Sequence, residues 1–304
     1  KREITHFSEN FNYKCIKSKD FYYSTSNIIN NSKLVQLKMG TKVTEIRPNQ
    51  NYVTIKTNRQ TIQAKYVIDT RPQTNTQLLK PLLYQIFSGC EIHSDQKIFT
   101  TEDTVGLMTD LISGTDETTF IYTLPYSEYH GLVEYTTFSN SFRPPQTLNK
   151  NIDDYIKKKF RTIQHSVLRR EHGVLPMGFN PVTMNLHKRV FSAGIHGGAI
   201  RAATGYAFAN IQKWSIDCTK AIVQSGCPID QAPPAKIEKF MDTLFLKVVR
   251  NNQPKTAAIF LQLASCLSAN QFARFMSGRA TPSDRYSVIK AMPNKWLFIK
   301  NMLN

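Results

Sequence analysis

A single glutamate in an otherwise apolar stretch, Glu134, has the chemical properties of a proton donor. Residues 132–138 are predicted to form a strand, and side chains alternate along a strand, so Leu132, Glu134, Thr136 and Phe138 should share one face. A carboxyl between apolar side chains loses hydration, and this raises its pKa. We expect Glu134 to keep its proton near neutral pH and to act as a general acid. The alternative is a structural glutamate bonded to Thr136 or to an arginine.

Aromatic side chains are concentrated in the same predicted sheet. Ring faces attract cations by roughly 1–2 kcal/mol where water is excluded. These rings could therefore line a site at which positive charge develops, or they could simply form the core. The candidates are Phe120, Tyr122, Tyr126, Tyr135 and Phe138.

Two predicted strand ends lead into loops of the kind that bind ligands. Residues 65–69 lead into a turn stopped by Pro72, and residues 189–193 lead into the glycine-rich sequence GIHGG. Ligands of α/β sheets bind at the carboxyl ends of strands, and unpaired N–H groups at glycine loops and helix N-termini hold phosphates or electron-rich ring edges. The candidate residues are Asp69, Arg71, Gly197, Gly198, Thr204 and Gly205.

Each of these candidates has a plainer interpretation. Asp69 and Arg71 could form a structural ion pair, and Tyr206 could close a pocket or pack on the sheet. We interpret His196 as an exposed loop histidine, and we assign no acid–base role to His172.

The elements that position these residues follow from the periodicity of the sequence. Alternation predicts a strand at 41–47, a hairpin from 52–57 and 60–64, and an antiparallel sheet from 87–92, 119–124 and 132–138. Helical spacing predicts a helix over 151–167, with Asn151 as its N-cap. A turn-rich stretch with Gly173 and Pro176 follows. A second helix runs from about Thr204 to Ser225, and residues 235–304 are helical.

The composition limits the class of protein. The chain has 39 Lys and Arg against 22 Asp and Glu, a net charge of +17, which favours an anionic partner such as a membrane surface or a phosphate-bearing cofactor. No zinc-finger, RRM or KH pattern supports binding to nucleic acid. The odd number of cysteines, 5, argues against a disulfide framework or a metal site. No apolar run is long enough to span a bilayer.

Several segments together resemble the lycopene cyclase family. The segments are VIDTRP at 67–72, FIYTLP at 120–125, LVEYT at 132–136, GVLPM at 173–177, the stretch 193–211 that contains TGY, and the two C-terminal segments 275–278 and 292–298. With the two C-terminal segments counted as one, six matches in the right order make the resemblance specific, and they extend over nearly the whole chain.

The resemblance implies an α/β, Rossmann-like FAD/NAD(P)-binding flavoprotein with an antiparallel substrate-binding sheet and a C-terminal helical region. The expected division is 1–84 for the remainder of the FAD-binding domain, 85–170 for the substrate-binding sheet and helix, 171–234 for a second flavin-contact segment and helix, and 235–304 for the C-terminal helices.

The resemblance also implies a reaction. Lycopene would be cyclised at its linear ends to β-ionone rings without net redox change. Glu134 would be the acid, FAD would act in its reduced form with NADPH as reductant, and Phe120, Tyr122, Tyr135 and Phe138 would contact the substrate. The protein should be cytoplasmic and peripheral on an anionic membrane.

Three departures from the family pattern qualify this expectation. The family's G-x-G-x-x-G turn is absent, and because the sequence begins at Lys1 we expect it to precede that residue. The family's second motif acid is Tyr135 here, and a usual proline is Ala203. The alternatives are another flavoprotein of the same fold, such as a geranylgeranyl reductase or a monooxygenase, and a non-catalytic carotenoid- or lipid-binding relative.

Overall fold

The computed structural model describes residues 2–71, 80–178 and 187–303. The strands are β1 (Val43–Pro48), β2 (Val53–Thr57), β3 (Thr61–Ala64), β4 (Val67–Asp69), β5 (Leu83–His93), β6 (Gly106–Ser113), β7 (Glu117–Ser127), β8 (His130–Ser139), β9 (Ser166–Met177) and β10 (Val190–Ser192). The α-helices are α1 (Ser18–Asn30), α2 (Asn149–Lys159), α3 (Phe208–Ser225), α4 (Lys236–Asn251), α5 (Thr256–Cys266), α6 (Ala269–Met276), α7 (Pro282–Ala291) and α8 (Lys295–Leu303).

A five-stranded antiparallel sheet in the order β6-β7-β8-β5-β9 is the main scaffold. One face packs against α2, with Cys90, Val133 and Ile152 in its core. One end of the other face packs against α4, where Phe138 meets Leu246. The predicted sheet is confirmed, and its strands are longer than alternation alone indicated.

Strand β9 was not predicted as a strand, because Gly173 and Pro176 were interpreted as turn residues. Both lie within it. A Cβ at Gly173 would be 2.2 Å from the Phe87 ring, so glycine makes room for that ring. β9 is an edge strand. A proline has no backbone N–H to donate to a second neighbouring strand, and an edge strand does not need that donor.

The helix predicted over 151–167 is wrong at both ends. α2 begins at Asn149, two residues before the predicted N-cap, and ends at Lys159. The Ile163 N–H donates to the Phe160 carbonyl in a turn, which reverses the chain so that Val167 lies on β9. Apolar spacing continued through this turn by coincidence.

The N-terminal region differs from the expected strands and turns because it contains α1, which has no buried residue. The hairpin of β2 and β3 and the preceding strand β1 are confirmed. α3 begins later than predicted, because Gly205 adopts a φ of 73° in a turn before it. It ends at Gly226, whose φ of 69° is the expected left-handed cap.

Two short strands, β4 and β10, pair in parallel, with Asp69 opposite Ser192. Their carboxyl ends are therefore adjacent.

The predicted C-terminal helical region is confirmed by α4 to α8. A buried ion pair joins this region to the loop before α3, with 3.2 Å between Arg201 Nη2 and Asp242 Oδ1. Asp242 also accepts a bond from the Ala203 N–H, and the Arg201 guanidinium lies 4.8 Å from the centre of the Phe275 ring. The chain segment around Arg201 is thereby fixed to α4.

Candidate acid site and glycine loop

Glu134 lies on β8, the central strand, and its side chain leans over a glycine. Its neighbours are Tyr122 on β7 and Gly89 on β5, and β9 places Glu171 on the far side of Gly89. A Cβ at Gly89 would be 2.9 Å from Glu134 Cγ and 3.1 Å from Glu171 Cγ. The missing side chain at Gly89 therefore lets two carboxyl groups from separate strands approach each other.

The Glu134 carboxyl holds its proton more tightly than an ordinary glutamate. Burial raises its pKa from 4.5 to about 8, and the charge of Glu171 adds to this effect, although Arg169 acts in the opposite direction. Within the described residues, no ion pair or hydrogen bond reaches this carboxyl. Glu134 is therefore a neutral acid at pH 7.

Charged side chains extend away from Glu134 along the same face. Arg169 Nη1 lies 2.6 Å from Glu171 Oε2, and Arg169 Nε lies 3.0 Å from Glu91 Oε2. The other Glu91 oxygen lies 2.8 Å from His130 Nε2. Arg169 therefore pairs with Glu171 and Glu91 and not with Glu134, so the two neighbouring glutamates differ in that only Glu171 contacts a guanidinium.

A strap formed by the N-terminal residues crosses the same face. The hydroxyls of Tyr13 and Tyr122 are 3.0 Å apart, and Tyr13 also raises the pKa of Tyr206, after the larger effect of burial. Burial is the main cause that raises the pKa of all three phenols, so they stay neutral. Further along, Lys17 Nζ lies 4.8 Å from the centre of the Tyr126 ring, and burial raises the pKa of Tyr126 to about 12.

The four rings predicted to contact substrate are divided between different environments. Tyr122 is beside Glu134. Phe120 and Phe138 are on the same face but are buried in the core with Met177 and α4. Tyr135 points to the opposite face and packs against the core formed with α2.

The glycine loop after β10 lies beside the loop after β4. The nearest neighbour of a Cβ built on Gly194 would be Thr70 Cβ, at 3.9 Å. At Gly197 a Cβ would be 2.9 Å from the backbone of Ser192, so glycine permits a tight turn there, and Gly198 has a φ of 100°. This places the predicted anion-binding loop at the carboxyl ends of two parallel strands.

Asp69 and Arg71 form the ion pair that was considered as their plainer interpretation. Arg71 Nη2 lies 2.8 Å from Asp69 Oδ2, and the Arg71 N–H also donates to this carboxylate. Although burial opposes it, the hydrogen bonds from Arg71 lower the pKa of Asp69. The pair stiffens the turn beside Gly194 and leaves the arginine partly exposed.

The turn that contains Thr204 and Gly205 leads from this loop to the face of the sheet that carries Glu134. The Gly205 and Thr204 N–H groups both point to the Arg201 carbonyl. A Cβ at Gly205 would be 3.1 Å from Leu175 Cδ1 and 3.5 Å from Gln85 Oε1, which lie on the Glu134 face of the sheet. The structure therefore places Gly205 on the face of the sheet that carries Glu134, at the level of Gln85 on β5, four residues from Gly89. Tyr206 follows directly.

Several participants in this site were missed from the sequence. Glu171 and Arg169 were hidden because β9 was not recognised, although their alternation with Gly173 and Leu175 would have placed them on one face. His172 lies on the other face, where it bonds to Asn149. Asp110 is also remote, since it accepts a bond from Tyr155 of α2.

Comparisons with known proteins identify relatives of the chain. The family model described as "Lycopene cyclase protein" matches residues 2–299. No curated protein matches the chain in sequence. Among the solved structures that resemble it is a geranylgeranyl bacteriochlorophyll reductase-like protein from Thermoplasma acidophilum, with 14% identity and a TM-score of 0.47, covering 86% of this chain and 68% of that one. Another is the flavin-dependent monooxygenase PieE in complex with FAD and substrate, with 11% identity and a TM-score of 0.49, covering 91% of this chain and 52% of that one.

Proposed function

Because the chain belongs to the lycopene cyclase family, we propose that it closes the linear ends of lycopene to β-ionone rings without net oxidation or reduction. The observation that carries this proposal is Glu134, a half-buried carboxyl with a pKa of about 8 on the face of an antiparallel sheet. A carbon–carbon double bond is a weak base, and its protonation needs a neutral acid placed where water cannot compete.

The reaction would begin and end with proton transfer. Glu134 would protonate the terminal double bond of lycopene, and the tertiary cation would be attacked by a neighbouring double bond to close the ring. Loss of a ring proton would set the new double bond. The neutral phenols of Tyr13, Tyr122 and Tyr206 would face this cation. Tyr13 and Tyr206 are 47% and 42% exposed, and a ring face at an exposed site contributes about 0.5–1 kcal/mol. Each 1.4 kcal/mol lowers the barrier by about a factor of ten in rate.

The glycine turn after β10, together with Asp69 and Arg71 after β4, is the part of the described chain that fits FAD. Gly197 lets this turn close against the backbone of Ser192, and Gly198 has a φ of 100°, a conformation that favours glycine. Backbone N–H groups in such a turn would bind the phosphates, and Asp69 and Arg71 would hold the nucleotide beside it. Thr204 and Gly205 would contact the flavin on the face of the sheet that carries Glu134. In its reduced form, regenerated by NADPH, FAD would supply negative charge close to the cationic intermediate.

The first expected result concerns the product. A protein that contains this chain, expressed in a lycopene-accumulating bacterium, should convert lycopene to β-carotene or to its one-ring intermediate, as measured by pigment chromatography. Purified protein should consume no reduced nicotinamide in proportion to product, which separates a cyclase from a reductase or monooxygenase. Unchanged lycopene beside folded, flavin-loaded protein would exclude the cyclase and favour a binding protein.

A membrane surface is the second proposed partner, because lycopene dissolves in lipid. No helix in the described ranges is long and apolar enough to cross a membrane. α8 exposes Trp296, Ile299 and Met302, which recur at three-residue spacing, and it carries exposed Lys295 and Lys300. Exposed apolar side chains next to lysines are typical of helices that lie in an anionic membrane surface.

The second expected result tests this surface with charge reversal. Replacing Lys295 and Lys300 by Glu should weaken sedimentation with anionic vesicles, because each basic residue near such a surface contributes about 1 kcal/mol to binding. Replacing Lys157 and Lys158 by Glu changes the net charge equally on α2 and serves as the matched control. Salt should release the wild-type protein in part, because it screens surface charges. Equal loss in both double variants would remove α8 from the proposal.

A further inference from the structure

We infer that Glu171 is the base of this reaction: it accepts the proton lost by the new ring and returns it to Glu134 across Gly89. The inference rests on the proposed function. That function itself requires only an acid, and the identity of the group that completes the proton cycle is a separate question.

The first argument is the position of Glu171. Glu134 and Glu171 come from strands on opposite sides of β5. A Cβ atom at Gly89 would nevertheless lie 2.9 Å from Glu134 Cγ and 3.1 Å from Glu171 Cγ. Both side chains thus converge on one side of the sheet. Any other residue at position 89 would separate them.

The second argument is the difference between the partners of the two carboxyl groups. Arg169 Nη1 lies 2.6 Å from Glu171 Oε2, whereas Glu134 has no ion-pair partner within the described residues. Two neighbouring carboxyl groups in different surroundings are the usual arrangement of an acid and a base in one site. Glu171 is also partly accessible, with 29% of its side chain exposed, so a substrate could reach it.

The third argument is the environment of the remaining carboxylates. Glu91 lies on the same face but its two oxygens are occupied by Arg169 and His130. Asp110 bonds to Tyr155, on the side of the sheet that packs against α2. Glu171 uses one oxygen for Arg169, and the register brings it to the glycine beside Glu134.

The proton balance closes without any further reactant. The Glu134 O–H bond breaks as a C–H bond forms at the terminal double bond, and Glu134 becomes a carboxylate. After ring closure the Glu171 carboxylate takes a proton from the ring carbon, and the C–H electron pair becomes the new double bond. Transfer of that proton from Glu171 to Glu134 restores both groups.

The test uses lycopene and the purified whole protein that contains this chain, loaded with reduced FAD, in deuterated water. In Glu171→Gln we expect the cyclisation rate to fall by about 10²–10⁴-fold, as for loss of a general base. Glu134 would still protonate the substrate reversibly, so recovered linear lycopene should gain deuterium at its terminal double bond. Glu134→Gln should show neither rings nor deuterium in recovered lycopene. The matched control is Glu117→Gln, which removes a glutamate ion-paired with Arg143 at the far end of β7.

The outcomes separate this inference from the proposed function. Absence of rings with the wild-type protein would contradict the function itself. Rings at the wild-type rate in Glu171→Gln would overturn the role of Glu171 alone, as would loss of both rings and deuterium exchange. If Glu171→Gln does not fold, the Glu171→Asp variant is measured instead. A reduced cyclisation rate with deuterium in recovered lycopene supports the inference. A cyclisation rate equal to that of Glu117→Gln overturns it.

Discussion

Glu134→Gln should abolish cyclisation while the protein stays folded. Glutamine has nearly the same shape as the neutral acid, so packing over Gly89 changes little, but it has no proton to deliver to a double bond. Loss of a positioned general acid typically costs about 10²–10⁴-fold in rate. Pigment analysis in lycopene-accumulating cells measures this loss, and circular dichroism of the purified variant checks the fold.

The matched control is Glu128→Gln. Glu128 lies in the turn between β7 and β8 and pairs with Lys97 at 2.7 Å, so its replacement should leave the rate unchanged. Glu134→Asp keeps the acid one methylene further back and should retain part of the activity. If Glu134→Gln made β-carotene at the wild-type rate, the proton would come from another group, and Glu171, on the other side of Gly89, would be the next carboxyl to replace.

The same residue gives the rate and the stability a defined dependence on pH. The cyclisation rate should fall as the pH rises through about 8, because the acid is then ionised. Folding raises the pKa of Glu134 from 4.5 to about 8. The contribution of this proton to the free energy of unfolding is therefore complete below about pH 4.5 and is lost as the pH rises through about 8. Glu134→Gln should remove this part of the pH dependence of the free energy of unfolding.

Asp242→Ala should lower the free energy of unfolding by about 3–5 kcal/mol, the usual result of leaving one charge of a buried pair without its partner. Arg201 would remain buried, with 8% of its surface exposed, and the Ala203 N–H would lose its acceptor. The measurement is denaturant unfolding monitored by circular dichroism.

Glu238→Ala is the control on the same helix, one turn before Asp242. Its oxygen lies 3.7 Å from Arg285, and both side chains are partly exposed, so we expect a loss below about 1 kcal/mol. Similar losses in the two variants would show that burial of the Arg201–Asp242 pair contributes nothing beyond an ordinary surface pair.

The sequence predicts those parts of the site that depend on local periodicity. Alternation along residues 132–138 is enough to place Glu134 on an apolar face and to indicate the direction of its pKa shift. It could not reveal Gly89 and Glu171, because their proximity to Glu134 depends on the register of β5 against β8 and β9. Register is a non-local property. The glycine and proline of β9 further concealed its strand, since both residue types usually mark turns.

The prediction of a helix that continues to Val167 was wrong for a related reason. Apolar residues after Lys159 continue the spacing of a helix. Phe160 and Ile163 pack against the sheet from a turn, but Val167 lies on β9 with 42% of its surface exposed. The pattern therefore predicts burial of the first two residues but not the element that contains them, and it predicts neither for Val167. The ion pair of Asp69 and Arg71, by contrast, joins residues two positions apart, and the sequence could anticipate it as one of two interpretations.

The N-terminal strap has a consequence for the order of folding. β7 and β8 meet through a short hairpin, so their pairing closes a small loop and can form early. Tyr13 and Tyr122 are 109 residues apart, and His6 bonds to the Ala264 carbonyl across 258 residues. Contacts of such sequence separation close late, because much more chain entropy is lost before they form. The sheet is therefore expected to exist as a kinetic species in which Glu134 is still hydrated, and the acid acquires its unusual proton affinity only when the chain folds over it in the final step.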